Sequence, residues 1–135
     1  MLCICLCLFV QTVRLFREGQ LQGCVAVLTL DKGLELTVRF LMAGTCRLMG
    51  HFDDALRLFH MAEQIYARAG EEQSYAYASV LNNMSLVYRE LEDLQPAIDY
   101  LEKAREIFAQ ALGEDDARTC AVADDLRRLK EGVGA

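Results

Sequence analysis

The chain has 135 residues, 53% of them hydrophobic and 25% charged, with a single proline and a formal net charge of −6. This length and composition predict one domain with a sizeable core. The negative charge disfavours nucleic acid, whose phosphates require a basic footprint, and an anionic membrane surface. It therefore favours a protein partner that is neutral or basic.

The chain begins with an almost wholly apolar segment, Met1–Val10. The segment is too short to span a bilayer, which takes about 20 residues. A signal peptide needs a basic region before the apolar run, whereas Arg14 and Arg17 follow it. We expect a buried first helix here, with a signal sequence and an arbitrary start of the chain as the alternatives. An apolar face left exposed on Met1–Phe16 would favour self-association.

Three of the six cysteines lie within this segment, as Cys3, Cys5 and Cys7. On a helix Cys3 and Cys7 share a face, but Cys5 points about 200° away from Cys3. Paired zinc cysteines are commonly separated by about two to four residues. The sequence therefore predicts apolar packing rather than a metal, no cofactor, and free thiols in a reduced, cytoplasmic chain.

One face of a predicted helix recurs 42 residues later in the chain. Its positions i, i+4, i+7 and i+11 alternate small and large residues, which lets a neighbouring helix approach closely. They are Ala55, Phe59, Ala62 and Tyr66 in the first copy and Ala97, Leu101, Ala104 and Phe108 in the second. A fixed period indicates a repeat protein whose units bury their apolar faces by stacking.

A second helix is predicted upstream of each copy, from an i, i+3, i+4, i+7 pattern. Its positions are Leu81, Met84, Ser85 and Tyr88 in the later unit and Arg39, Met42, Ala43 and Cys46 in the earlier one. Gly50 can adopt the left-handed conformation that ends a helix, whereas Glu92 must close the equivalent turn without glycine. The short connection makes the two helices antiparallel neighbours.

These residues resemble the tetratricopeptide repeat, and the resemblance covers roughly residues 36 to 112. The 42-residue spacing exceeds the usual repeat of about 34. Together with the string Leu81-Asn82-Asn83-Met84-Ser85, this spacing is similar to the kinesin-light-chain subtype. The resemblance implies an all-α, right-handed α-solenoid of about three antiparallel helix pairs plus a C-terminal capping helix.

The predicted organisation is a single domain, 1–135, with repeats at 36–77 and 78–113. Residues 1–35 are expected to form a degenerate first repeat, because Gly19, Leu21 and Cys24 align with the later units while Asp31 falls where an alanine belongs. Residues 114–131 are expected to form the capping helix, because their outer face is polar, as the end of a repeat stack requires. Seven helices are expected in all.

No sequence pattern indicates catalysis. Neither a G-x-S-x-G elbow nor a G-x-x-x-x-G-K-[ST] phosphate loop occurs. The adjacent carboxylate pairs lie in predicted turns and helix starts, where they complement the helix dipole. His51 and His60 would lie on opposite helical faces, so they are poor metal ligands. The chain is therefore predicted not to be an enzyme.

The candidate site is a peptide-binding groove. The resemblance implies that the first helix of each pair lines the concave side. The residues that it places there are Ser79, Asn82, Asn83, Leu86 and Arg89, with Phe40, Gly44 and Arg47 before them and Asp124, Asp125 and Arg128 after. Helix propensity gives no reason for two consecutive asparagines. An amide can both donate to and accept from an extended peptide backbone; the alternative is that these amides bond a neighbouring loop or face solvent.

Two functions of different classes follow. The first is a non-enzymatic adaptor that binds a partner peptide or helix in the groove. A carboxylate clamp of the family's chaperone-binding type is not supported, because Phe40 and Gly44 stand where its Lys and Asn would be, and Asp124 and Asp125 disfavour an anionic peptide. The second is a purely architectural segment that self-associates or docks end-on within a larger scaffold. A third and weaker hypothesis is that the chain is part of an enzyme in which it only recruits the substrate.

Overall fold

A computed structural model describes residues 32–134, with side chains described from residue 36 onward. Five α-helices occupy this part of the chain, joined by short turns. They are α1 (Lys32–Leu48), α2 (Phe52–Ala69), α3 (Tyr75–Glu90), α4 (Leu94–Leu112) and α5 (Ala117–Val133). The prediction of an all-α fold is thus confirmed for the described residues, while the expected helices of residues 1–31 lie outside them.

Two of the helices, α3 and α5, begin where a side chain caps a free backbone amide. The Ser74 hydroxyl accepts a hydrogen bond from the backbone N–H of Tyr77 at 3.2 Å. The Asp116 carboxylate accepts one from the backbone N–H of Arg118 at 2.9 Å. These two caps stand 42 residues apart, so the same device starts α3 and α5. The repeat therefore includes the local signals that begin a helix as well as its core positions.

The helices are arranged as a solenoid of antiparallel pairs. α1 packs most extensively on α2, and α3 on α4; α3 also packs on α2, as α5 packs on α4, and α1 touches α3 directly. We call α1, α3 and α5 the A helices and α2 and α4 the B helices. The predicted boundaries at 36–77, 78–113 and 114–131 divide this helix order but remain a prediction about repeat units.

The core follows the 42-residue period through all three A helices. Val80 of α3 is buried, and so are its equivalents Val38 and Val122. A second buried series consists of Met42, Met84 and Leu126, and on the B helices Ala55 and Ala97 are both fully buried. Each unit thus supplies equivalent side chains to one continuous core, which is how stacked repeats bury surfaces that no unit could bury alone.

Tyr77 joins three helices within this core. Its ring is buried on α3, and its hydroxyl donates a hydrogen bond to Glu63 of α2 at 3.1 Å. Lys103 of α4 donates to the same hydroxyl at 3.1 Å and lies 5.3 Å from the centre of the tyrosine ring. Burial is the main cause that raises the pKa of Tyr77. The network ties both helix pairs together at their shared interface.

The turn from α1 to α2 and the turn from α3 to α4 share one backbone shape. Gly50 has φ 78° and Glu92 has φ 60°. In each turn the following residue donates a hydrogen bond back to the helix, from His51 to the Cys46 carbonyl at 2.8 Å and from Asp93 to the Tyr88 carbonyl at 2.9 Å. Both are Schellman closures. The later turn closes without glycine because Glu92 itself adopts the left-handed conformation, at a cost of about 1–2 kcal/mol.

Replacing Glu92 by glycine is therefore expected to stabilise the chain by about 0.5–1 kcal/mol, because relief of the left-handed strain exceeds the added freedom of the unfolded chain. The converse change, Gly50→Ala, is expected to destabilise it by about 1 kcal/mol. A Cβ at Gly50 would meet no atom within 4 Å, so this cost is one of backbone conformation alone. Urea denaturation followed by circular dichroism measures both changes. A Glu92→Gly chain no more stable than the parent would contradict the strain.

Candidate functional site

The predicted groove residues of α3 form one accessible stripe of that helix. Ser79, Asn82, Asn83 and Leu86 are half-buried and Arg89 is exposed, while the residues on the other side of the helix are buried. We call this stripe, with its equivalents on α1 and α5, the A-helix face. Because α1 touches α3, the α1 and α3 parts of the face lie on neighbouring helices.

Hydrogen bonding distinguishes the two asparagines. The Asn83 amide donates to the Ser79 carbonyl at 2.8 Å, and the Ser79 hydroxyl donates to the Tyr75 carbonyl at 3.0 Å. Both bonds run back along the same helix. The Asn82 side chain has no hydrogen-bonding partner among residues 32–134, although its backbone carbonyl accepts from Ser85 at 2.7 Å. Asn82 therefore keeps its full capacity to donate and to accept.

The α1 part of the face is less polar than α3. The Phe40 ring packs edge-on against Phe59, with 6.0 Å between ring centres, so it belongs partly to the core. Leu41, the residue in register with Asn83, is exposed; our sequence reading missed it, although the period pointed to it. Gly44 is half-buried. The Nε of Arg47 is buried and has no hydrogen-bond partner within the described chain, so part of its guanidinium is unsatisfied.

The α5 part of the face carries both signs of charge. Asp124 forms an ion pair with Arg127 at 3.0 Å, and Asp125 approaches Arg128 at 3.8 Å. These are exposed pairs one helical turn apart, and such pairs contribute little to stability. Arg127 and Arg128 offset the negative charge that Asp124 and Asp125 bring to the α5 part of the face. α5 packs mainly on α4, so Asp124 and Asp125 lie beside the stripe of α3 without being held against it.

Other polar clusters of the described chain do not form a second predicted site. His60 pairs with Glu63 at 3.2 Å, whereas His51 lies exposed in a turn. Between residues 32 and 134, no group of three or more histidine, cysteine or acidic side chains is positioned to hold a metal ion. Cys3, Cys5 and Cys7 lie outside the described residues. Cys46 and Cys120 are both free thiols, the first buried and the second exposed.

An open depression of about 520 Å³ lies between α4 and α5, away from the α3 stripe. Its lining residues are Arg105, Ala123, Leu126, Arg127, Lys130 and Glu131. Leu126 belongs to the core, and a salt bridge from Lys130 to Glu102 joins the two helices here. The depression is a shallow seam between packed helices, and we assign it no ligand. Among the described helices, none is both long and apolar enough to cross a bilayer.

Comparison with protein families identifies the repeat. A family model described as tetratricopeptide repeat matches residues 34–110, more than half of the chain. The crystal structure of BtubC (BKLC) from P. vanneervenii resembles the fold with a TM-score of 0.75 at 27% identity. That match covers 92% of this chain and 48% of BtubC.

Two curated proteins are similar to part of the chain over 83 residues. The RxLR effector protein SFI4 of Phytophthora infestans (strain T30-4) is 36% identical, and the match covers 62% of this chain and 24% of that protein. The secreted RxLR effector protein RXLR-C07 of Plasmopara halstedii is 34% identical, with 62% and 26% covered. The chain thus matches about a quarter of the length of each relative.

Proposed function

The chain belongs to the tetratricopeptide-repeat family, and we propose that it is a non-enzymatic interaction module whose A-helix face holds an extended segment of a partner protein. Repeats of this family are generally protein-interaction or scaffold modules. Beyond that general role, we propose which face of this chain binds the partner and that the partner segment is extended. We also propose that the chain performs no catalysis of its own.

The observation that carries the proposal is the side chain of Asn82. It is half-buried at the middle of the α3 stripe and leaves both its N–H groups and its oxygen unpaired within the described chain. The Asn82 amide atoms are not among the buried side-chain atoms that lack a partner in the described chain, so they reach water and can exchange it for the backbone of a partner. The backbone of an extended peptide offers one N–H and one C=O at each residue, which matches what an amide can donate and accept.

Neighbouring side chains support the same use of this face. Asn83 donates one amide N–H to the Ser79 carbonyl, and its amide oxygen and second N–H remain available to a partner. Leu86, one turn further along α3, is only half-buried and offers apolar contact beside the amides. Arg47 and Arg89 occupy equivalent positions on α1 and α3 and can hydrogen-bond carbonyl oxygens of a bound segment.

The overall charge bears on the chemistry of the partner. At −6 the chain attracts neutral or basic proteins more readily than acidic ones. Asp124 and Asp125 are each paired with an arginine, so they add little to this preference at the α5 end. We therefore assign the charge preference to the chain as a whole. No nucleic acid or membrane is required by the proposal.

Cysteine chemistry bears on location. Cys46 and Cys120 are free, and free thiols are typical of a reducing compartment such as the cytoplasm. The two curated relatives are named as RxLR effectors, one of them secreted. We propose that the repeat unit works in a reducing compartment, and that any route by which the chain arrives there is set outside residues 32–134.

The test is a side-by-side affinity purification from cell extract with the parent chain and an Asn82→Ala/Asn83→Ala variant, quantified by mass spectrometry. Proteins bound through the face should fall at least tenfold in the variant, because the amides that pair with their backbone are gone. The matched control is Gln64→Ala/Gln110→Ala, which removes two exposed amides from the B helices and should leave recovery unchanged.

Circular dichroism first establishes that each variant keeps the helical content of the parent. Equal recovery of every partner by the parent and the asparagine variant would refute binding through this face. It would favour the architectural alternative, in which the chain stacks end-on in a scaffold or self-associates through Met1–Phe16. Concentration-dependent sedimentation that a charged substitution at Leu8 abolishes would support that alternative directly.

A further inference from the structure

Three large apolar side chains lie exposed at equivalent positions of the three A helices. Met49 is 59% exposed, Leu91 43% and Val133 51%. They stand 42 residues apart, each at the end of its A helix. Isolated exposed apolar residues are ordinary on protein surfaces. A series at the same position of α1, α3 and α5 is different, because that position is apolar each time although roughly half of each side chain is exposed in the described chain.

The solenoid places these side chains along one edge. Met49 and Leu91 begin the turns that join each A helix to its B helix, and Val133 ends α5. Since α1 touches α3, and α5 packs on α4 as α3 packs on α2, successive positions follow the stacking direction. We call Met49, Leu91 and Val133 the apolar edge. Helices in contact lie about 8–10 Å apart, and α1 and α3 are in contact. The 42-residue repeat places α5 relative to α3 as it places α3 relative to α1, so we take the same spacing for both steps.

This spacing matches one kind of partner. A helix rises about 1.5 Å per residue, so side chains seven residues apart on one face lie about 10.5 Å apart. A helix with apolar residues at i, i+7 and i+14 can therefore place one against each member of the apolar edge. Leu48, which is 78% exposed beside Met49, widens the apolar contact at the α1 end.

Unpaired acidic groups flank the centre of the edge. Glu90, Glu92 and Asp93 surround Leu91 and are all exposed, and none of them takes part in an ion pair within residues 36–134. Asp93 is the N-cap of α4 but its carboxylate makes no capping hydrogen bond. Arg89 is the one basic residue adjoining this cluster in sequence. A partner that meets Leu91 therefore encounters net negative charge, which basic side chains complement.

We propose that the apolar edge is a second interaction surface, distinct from the A-helix face, and that it binds a basic amphipathic helix of a partner protein. The helix presents one apolar side chain to each of Met49, Leu91 and Val133, with Lys or Arg beside the central one. The apolar contacts supply affinity, and the acidic cluster around Leu91 selects a basic helix and orients it.

The test uses a synthetic helical peptide of about 18 residues, with three leucines at intervals of seven and lysines and alanines elsewhere. A second peptide of the same composition has its leucines spread around the helix. Fluorescence anisotropy with the full 135-residue chain measures both dissociation constants. The first peptide is expected to bind at least tenfold more tightly than the second, and equal affinity for the two would overturn the proposal.

Variants of the chain locate the binding. Met49→Ser/Leu91→Ser/Val133→Ser is expected to weaken the first peptide at least tenfold. Glu90→Gln/Glu92→Gln/Asp93→Asn is expected to weaken binding of the same peptide and to make its dissociation constant less dependent on salt concentration. The matched control is Tyr75→Ser, which removes a large exposed apolar side chain at the other end of α3 and should leave affinity unchanged.

Single replacements such as Leu91→Ser provide the same test if the triple variant loses helical content. Unchanged affinity in both the apolar and the acidic variants would show that the edge does not bind the peptide. The Asn82→Ala/Asn83→Ala variant should bind this peptide with the affinity of the parent chain. The experiment therefore distinguishes a wrong assignment of the apolar edge from a wrong assignment of the A-helix face.

Discussion

Replacing Phe59 by alanine is expected to lower the free energy of unfolding by about 3–5 kcal/mol. Phe59 is 0% exposed on α2, and its ring meets Phe40 of α1 edge-on. Removing it deletes buried apolar area and leaves a cavity that close-packed helices can fill only in part. Urea denaturation followed by circular dichroism gives the change. Because a small domain is stable by about 5–15 kcal/mol, the loss is a large fraction of the total.

The matched control for this prediction is Leu48→Ala, which removes a similar apolar volume from the surface of α1. Leu48 is 78% exposed, so its replacement should change stability by less than about 0.5 kcal/mol. A Phe59→Ala chain that lost no more stability than this control would mean that α1 and α2 do not enclose the ring, and the pairing of these helices would have to be revised.

Raising the pH from 8 to 11 is expected to destabilise the chain, chiefly through Cys46. Burial, with a smaller contribution from the nearby charge of Asp54, raises the pKa of this thiol from 9.0 to about 11. The folded state therefore holds the proton more tightly than the unfolded state. The stabilisation is fully present below pH 9 and is lost as the pH rises to about 11, by about 2–3 kcal/mol in all.

The control for the alkaline loss is Cys46→Ala. Tyr100, whose pKa burial raises to about 12, destabilises both chains in the same direction above pH 10. The difference between the two pH profiles therefore isolates the thiol. Denaturation midpoints measured at pH 8, 9, 10 and 11 should fall more steeply in the parent chain than in Cys46→Ala. Parallel profiles would show that Cys46 is accessible to water in the folded state.

The repeat pattern predicted most of the core because burial in a solenoid is periodic. Ala55, Phe59 and Ala62 share one helical face in the sequence, and all three are buried. Their equivalents on α4 follow the same rule. The helix in the region of the expected cap, 114–131, begins at Ala117 and ends at Val133, and its capping role remains a prediction. Local signals such as the Asp116 cap decide where a helix begins, and periodicity does not report them.

The candidate site remains a prediction, but the structure distinguishes residues within it that the sequence treats together. The sequence placed Asn82 and Asn83 together on the accessible side of one helix and favoured Asn83 for peptide contact. The structure shows that Asn83 bonds its own helix, whereas Asn82 has no side-chain partner among the described residues. The ion pairs of Asp124 with Arg127 and of Asp125 with Arg128 follow from their i, i+3 spacing. Hydrogen bonding depends on rotamers and on distances of a few tenths of an ångström, and the order of residues does not contain them.

The sequence by itself determined the helical pairs, their antiparallel order and the identity of the core, because a residue's helical face follows from its spacing alone. The tertiary structure decided the features that depend on neighbours distant in sequence. It brought Glu63, Tyr77 and Lys103 of three helices into one network, and it left Met49, Leu91 and Val133 exposed among the described residues. An apolar residue in a repeat can be buried or exposed, and only the packing of the helices around it settles which.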